Sequence, residues 1–308
     1  MWWRVPALGK VSKLAIVPPR PEPGRDGVAI ALVVRNEARH VREWAAFHRA
    51  AGVRAFLVYD DGCTDATIPI LRETLGAAHL EVVPWRQRLH DAWLGRELHN
   101  QVLAYAHAAS NFGGAVRWMA FIDVDEFLVP ARAASIPAAL AHLGDRRNLS
   151  LPWHMFGRSG HAVPPAGGVL RNYLRRAADP MADARGVRAF KCIVDPCHLT
   201  ALRVHAMETD GADRTCNDRG DEVALALRDR PGFYSVEHLQ LNHYYTRSEQ
   251  ELAEKIARGP NLHAKRPEYE RKVRRTVANI EAVEVEDHAA LAYLERIGWK
   301  EPADRDDR

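Results

Sequence analysis

The first sustained pattern along the chain is an unbroken apolar run at residues 28–34, VAIALVV, which reads as a strand buried on both faces. Over 37–51 the apolar positions fall at Val41, Trp44 and Ala45 and again near His48, a helical spacing closed by Gly52. The alternation then repeats. A buried strand is predicted at 54–59, a helix at 65–75 ending on Gly76, a strand at 79–83 and a long helix at about 95–110. The Asn111-Phe112-Gly113-Gly114 break delivers a further strand at 117–123, RWMAFID. This β-α-β-α-β-α-β order predicts an α/β fold, a Rossmann-like, mostly parallel sheet flanked by helices, with ligands held at the carboxyl ends of its strands.

Beyond residue 131 the pattern is less regular. It gives strands at 149–154, 189–194 and 201–205 and helices at 248–258, 267–284 and 287–297. The stretch 210–222, polar and with two glycines, reads as a mobile loop able to close over a ligand. Residues 1–27, with Pro6, Pro18, Pro19, Pro21 and Pro23, read as a flexible tether. The organisation expected is therefore a tether, one large domain over 28–260, and a C-terminal helical extension over 261–308 whose polar end, 302–308, frays.

Composition adds exclusions. The chain has 308 residues, 47% hydrophobic and 27% charged, enough for a sizeable core. Its 43 Lys and Arg against 40 Asp and Glu leave a net charge of +3, which does not advertise nucleic acid as a partner. No run approaches a spanning helix, so the reading is a soluble, cytoplasmic chain with at most peripheral membrane contact, through Trp2 and Trp3 or the basic residues Arg271, Lys272, Arg274 and Arg275. Cys63, Cys192, Cys197 and Cys216 match no disulfide framework and no C-x2-C zinc pattern, and read as reduced thiols.

Three polar clusters sit at predicted strand ends. The strongest is Phe121-Ile122-Asp123-Val124-Asp125-Glu126-Phe127, three carboxylates in four residues directly after a buried strand. If that segment is extended, alternation points Asp123 and Asp125 the same way, so that both reach one hard cation. A divalent ion held by one or two carboxylates and by phosphate oxygens suits a reaction in which a nucleotide leaves as an anion. The second cluster is Tyr59-Asp60-Asp61-Gly62-Cys63-Thr64-Asp65. A well-capped turn explains its Gly62 and Asp65 but leaves Asp60 and Asp61 free to accept from base or ribose donors. The third, Arg35-Asn36-Glu37, completes a row along the sheet's carboxyl edge, where a nucleotide would lie.

The runs VVRNEARHVREWAAFHRAAGVRAFLVYDDGCTDATIPIL and RWMAFIDVDEFLVP resemble the nucleotide-binding half of a GT-A glycosyltransferase of family 2, and more narrowly the family 92 type. The resemblance continues through Leu151-Pro152-Trp153-His154-Met155-Phe156-Gly157-Arg158-Ser159-Gly160-His161, through Lys191-Cys192-Ile193-Val194-Asp195-Pro196 and Val204-His205, and through Asn242-His243-Tyr244-Tyr245-Thr246-Arg247-Ser248 with Lys255 downstream. It covers roughly residues 28–260. It implies an inverting, metal-dependent enzyme of polysaccharide biosynthesis that takes a UDP-sugar and manganese, or magnesium, and glycosylates a glycan or glycolipid acceptor.

Carried over by resemblance, Asp60, Asp61 and Asp123 meet uracil and ribose, Arg35, Asn36 and Glu37 line the donor, and Lys255 faces the diphosphate. Asp123 and Asp125 hold the metal with His243, or alternatively His205. Trp153, His154, Ser159 and His161 lie on the acceptor side. An inverting transfer also needs a general base: Glu208, Asp221 and Glu222 are candidates, with His154 and His161 flanking the acceptor-side motif. Two other classes stay open. A sugar nucleotidyltransferase predicts a glycine-rich first loop, which Arg35-Asn36-Glu37 does not supply. A non-catalytic sugar-binding protein on the same fold has no physical reason to keep clustered charge.

Overall fold

A computed structural model describes residues 10–259 and 266–301. Strand β1 (Val28–Val34) is central, and its apolar run reflects burial on both faces. Val28, Ile30, Leu32 and Val34 enter one core with Trp44 and Phe47 of helix α1 (Ala38–Ala50), while Ala29 and Ala31 enter the opposite core. Strand β2 (Ala55–Asp60) runs parallel to β1, helix α2 (Thr67–Leu75) packs beside α1, and strand β3 (Leu80–Pro84) extends the parallel array. Helix α3 (Asn100–Phe112) covers the Ala29/Ala31 face with Val102 and Tyr105, and strand β4 (Trp118–Phe121) lies parallel to β1 on its other side.

From here the sheet becomes mixed. Strand β5 (Glu126–Pro130) follows a tight turn, β6 (Asn148–Met155) and β7 (Phe190–Val194) are antiparallel to each other, and β7 joins antiparallel to β4. Strands β8 (Arg214–Cys216) and β9 (Glu222–Ala224) form a hairpin on the edge of β6. The stretch expected as a mobile loop is thus mostly this hairpin, because Thr215 Oγ1 donates to the Asn148 carbonyl at 3.1 Å and to Ser150 Oγ at 2.9 Å and ties the segment to the sheet. Strand β10 (Leu239–His243) lies between β5, antiparallel, and β6, parallel. The resulting ten-stranded, largely parallel sheet flanked by helices is the predicted α/β architecture.

Helix α4 (Glu249–Arg258) opens on a capping box in which Ser248 and Glu251 satisfy each other's backbone N–H groups. Helices α5 (Arg266–Glu281) and α6 (Ala289–Arg296) pack back onto the domain, α6 through Ala290, Tyr293 and Leu294 in the α1 core. Arg271, Lys272, Arg274 and Arg275 of α5 are all exposed, while Val273 and Val277 turn inward. No described helix is long and apolar enough to cross a membrane.

The expected tether needs correction where it is described. Residues 14–15 pair antiparallel with the strand Leu199–Leu202, and Arg25 makes a two-pronged contact with buried Asp195 at 2.7 and 2.8 Å, so this arm is laid along the domain. Residues 1–9, with Trp2 and Trp3, and the expected frayed end at 302–308 lie outside the described residues. The four cysteines are free thiols.

Candidate active site

Because β1, β2 and β4 are parallel, their carboxyl ends share one edge, and the three polar clusters meet there. Asn36 adopts a left-handed φ of 54° and its Oδ1 accepts the Thr64 N–H at 2.8 Å, tying the first loop to the second. Asp60 Oδ1 accepts the N–H groups of Gly62 at 2.9 Å and Cys63 at 2.7 Å, so this carboxylate shapes the turn that the sequence left unexplained. Gly62 has a φ of 88°, and a Cβ there would run into the Arg86 guanidinium. Asp61 is gripped by Arg88 at 2.8 and 3.0 Å and by Asn100 at 3.2 Å. Arg35 is exposed, and Glu37 lies between Arg247 at 3.6 Å and Arg258 at 3.8 Å. Burial raises the Glu37 pKa and Arg247 opposes the rise.

The acidic motif is a turn. Glu126 donates its backbone N–H to the Asp123 carbonyl at 3.1 Å, and the Asp123 N–H returns to Glu126 Oε2 at 2.8 Å, so the alternation argument for Asp123 and Asp125 does not apply. Asp123 accepts from Lys191 Nζ at 2.7 Å and from Gln101 Nε2 at 2.8 Å. The neighbouring α3 residues Asn100 and Gln101 therefore reach Asp61 and Asp123 respectively, linking the two acidic clusters. Lys191 is buried to 1% exposure yet its pKa is raised well above the usual lysine range: burial pulls it down, and Asp123 and Glu126, the latter 3.5 Å away, more than reverse that. Burial raises the Glu126 pKa, and Lys191 opposes the rise.

Asp125 faces a different set. Its Oδ2 lies 3.4 Å from His243 Nε2 and 3.9 Å from Lys255 Nζ. Burial would raise this carboxyl, but His243, Lys255 and Arg247 outweigh it and hold the group well below the usual carboxylate range. His243 arrives on β10, directly opposite Glu126 in the β5–β10 register, and the Tyr244 N–H fixes the Asp125 carbonyl at 2.8 Å. Trp153, on β6, stands edge-on to the His243 ring with centroids 4.4 Å apart. Lys255, on α4, donates to the Tyr245 carbonyl at 2.8 Å and sits over the Tyr245 ring at 3.6 Å; burial lowers its pKa, offset in part by Asp125.

These contacts decide what could hold a divalent metal. Among the described residues no three His, Cys, Asp or Glu side chains converge as a ready metal cluster. Asp123 is committed to Lys191 and Gln101. Asp125 and His243 present one hard oxygen and one imidazole nitrogen to each other, a donor pair that fits manganese or magnesium completed by diphosphate oxygens. His205 has no such partner: its Nδ1 donates to the Phe190 carbonyl at 3.0 Å and its ring packs on Trp153, with burial lowering its pKa to about 4.

Other expected residues are used elsewhere. Glu208 pairs with Lys13 of the N-terminal arm at 2.6 Å, Asp221 with Arg219 at 2.7 Å at the exposed hairpin turn, and Glu222 with Arg214 at 2.6 Å. On β6, His154 follows Trp153 and so points to the other face, where its Nε2 meets the Tyr234 hydroxyl at 3.0 Å. Ser159 Oγ accepts the N–H groups of Leu174 and Arg175, both at 3.0 Å, and His161 Nε2 donates to the Asn172 carbonyl at 3.0 Å, so both residues brace a loop. Sequence reasoning passed over Lys191, Glu126, Gln101 and Tyr245 as site residues. A lysine inside the buried strand FKCIV was the available signal, since lysine is almost never buried without a partner.

A family model described as glycosyltransferase family 92 matches residues 28–279. A glycosyltransferase family 92 protein of Ricinus communis is 28% identical over 61% of this chain and 33% of its own length. An Arabidopsis thaliana galactan β-1,4-galactosyltransferase is 26% identical over 54% of this chain and 33% of its own. The matched regions thus span about a third of these curated relatives. Among solved structures, S. aureus TarS 1–349 in complex with UDP superposes with a TM-score of 0.32 at 15% identity, over 55% of this chain and 47% of that one, too loosely to bear on function.

Proposed function

Because the chain belongs to glycosyltransferase family 92, we propose that it moves a sugar from a nucleotide-sugar, a UDP-sugar first among candidates, to a glycan or glycolipid acceptor with inversion and with the help of a divalent metal. The observation that carries this reading is the convergence of Asp125, His243 and Lys255, from three separate parts of the chain, at the carboxyl edge of the sheet. The base and ribose lie along the edge formed by Asp60, Asp61 and Asp123, three half-buried carboxylates whose internal hydrogen bonds fix the two loops that line it. Lys255 and Arg247 supply positive charge where the diphosphate leaves, in a partly dry setting that strengthens their effect. Manganese or magnesium, when bound by Asp125 and His243, would neutralise the departing diphosphate. The half-buried Trp153 flanks this group and offers a flat apolar face to a sugar ring.

The test is calorimetric titration of the protein with UDP, with and without manganese. Binding that requires the metal supports the reading, and a transfer screen then begins with UDP-galactose, the sugar suggested by the galactosyltransferase relative. Absence of binding under both conditions overturns the UDP assignment.

A further inference from the structure

Among the buried polar atoms around the site that have no hydrogen-bond partner in the described residues are Glu126 Oε1 and His243 Nδ1. They face each other at 3.9 Å. Both side chains are enclosed, Glu126 at 0% and His243 at 5% exposure, so water does not offer either of them an easy substitute. The pairing is built into the fold, since His243 of β10 stands opposite Glu126 of β5 in the antiparallel register, and Trp153 holds the imidazole edge-on. The second oxygen of Glu126 is already fixed, accepting the Asp123 N–H at 2.8 Å with Lys191 Nζ 3.5 Å away. His243's other nitrogen, Nε2, points at Asp125.

We propose that Glu126 is the positioning residue of His243: Oε1 accepts a hydrogen bond from the Nδ1–H, which leaves Nε2 as the nitrogen available to the divalent ion that His243 and Asp125 would share. A ring movement of about an ångström brings the 3.9 Å separation to hydrogen-bond length. A carboxylate behind a ligating imidazole selects its tautomer and raises its basicity. Glu126 thereby joins the two halves of the site, one oxygen serving the Asp123–Lys191 pair and the other the Asp125–His243 pair. The inference rests on the metal reading above.

The informative variant is Glu126→Gln, which keeps the shape. Its single carbonyl oxygen goes to the Asp123 N–H and Lys191, which turns the amide NH2 toward His243 Nδ1 and forces the proton onto Nε2. Manganese affinity in the presence of UDP, measured by calorimetry on the full chain, should weaken by roughly 10- to 100-fold, with circular dichroism unchanged. Nitrogen-15 histidine spectra of the metal-free wild type, assigned with His243→Gln, should show a proton on Nδ1, a signature that a role in packing alone would not produce. Equal manganese affinity in a folded Glu126→Gln protein, or a wild-type Nδ1 without a proton, overturns the assignment of Glu126 alone. Wild-type protein that binds no manganese at all removes the metal reading, and this inference with it.

Discussion

The two halves of the sheet are built on different rules. In residues 28–121 each strand is joined to the next by a crossing helix, and β1, β2, β3 and β4 lie parallel as neighbours in one array. In residues 122–259 partners come from far along the chain: β10 pairs with β5 and β6, and β7 with β4 and β6. The first half supplies a flat edge with turns held by Asn36, Asp60 and Asp61. The second half supplies the enclosed polar groups Lys191, Glu126 and His243 and the half-buried Lys255. The seam between them is α1, whose Trp44 Nε1 donates to the Glu126 carbonyl at 2.9 Å and whose His48 Nε2 accepts the Leu128 N–H at 3.2 Å. The lesson is that the regular half forms a platform and the irregular half arms it.

The largest effect should come from the armed half. Asp125→Ala removes the carboxylate that faces both His243 and Lys255, and should lower transfer at least about a hundredfold, the scale of losing one preorganised electrostatic group. Its unfolding midpoint should stay close to that of the wild type. Unchanged turnover with manganese present would break the assignment of chemistry to this side.

Next in size is the internal ion pairing. Lys191→Met strips the buried partner from Asp123 and Glu126, and breaking such a pair on one side costs about 3–5 kcal/mol. Chemical denaturation measures this directly. A loss under about 1 kcal/mol would mean that the two carboxyl groups do not depend on the lysine, which would dissolve the link between the halves of the site.

The seam itself predicts a pH dependence. His48 is fully buried, its Nδ1 donating to the Trp44 carbonyl at 2.9 Å, and burial lowers its pKa to about 3 from the ordinary 6.5. Below pH 6.5 the unfolded chain takes up a proton that the folded one refuses, so stability falls as pH drops from 6.5 toward 3, by about 1.4 kcal/mol per unit. Buried His154, lowered to about 3, and His40, lowered to about 4, act in the same direction. The difference between wild type and His48→Gln isolates one contribution: the variant's stability should lose about 2 kcal/mol less between pH 6.5 and 5. Parallel pH profiles would show that His48 is not held neutral by the fold.

Much of the first half could be read directly from residue order, because a doubly covered parallel strand is apolar throughout and its helices carry a 3.6-residue stripe. The acidic cluster could also be read, since charge beside an apolar run stands out, whereas His243, Lys255 and Trp153 came into view only through the family resemblance. What escaped was encoded by distant pairing. Strand β10, LQLNH, buries Gln240 and Asn242, with the Gln240 amide donating to Asn242 Oδ1 at 2.7 Å and the Asn242 amide to the Tyr244 hydroxyl at 3.1 Å, so it lacks the apolar signature of a core strand. Strand β5 was hidden because its first residue, Glu126, reads as part of the acidic motif. Ser159 and His161 looked chemical but serve a loop, and Asp60 looked free but closes a turn, because the hydrogen bonds that occupy them are invisible until the chain is folded.

The smallest expected effect lies on the platform. Arg88 grips Asp61 with two nitrogens, but its side chain is 42% exposed, so solvent screens the pair and Arg88→Ala should cost no more than about 1 kcal/mol of stability. Asn100 still holds Asp61 at 3.2 Å in that variant, so the carboxylate keeps its place. UDP affinity in the presence of manganese should therefore change by only a few-fold, and high salt should erase most of the stability difference. If Arg88→Ala instead weakened UDP as severely as Asp125→Ala lowers transfer, the β2 loop would be an equal source of binding energy. The division between a supporting edge and a charged half would then fail at its most exposed point.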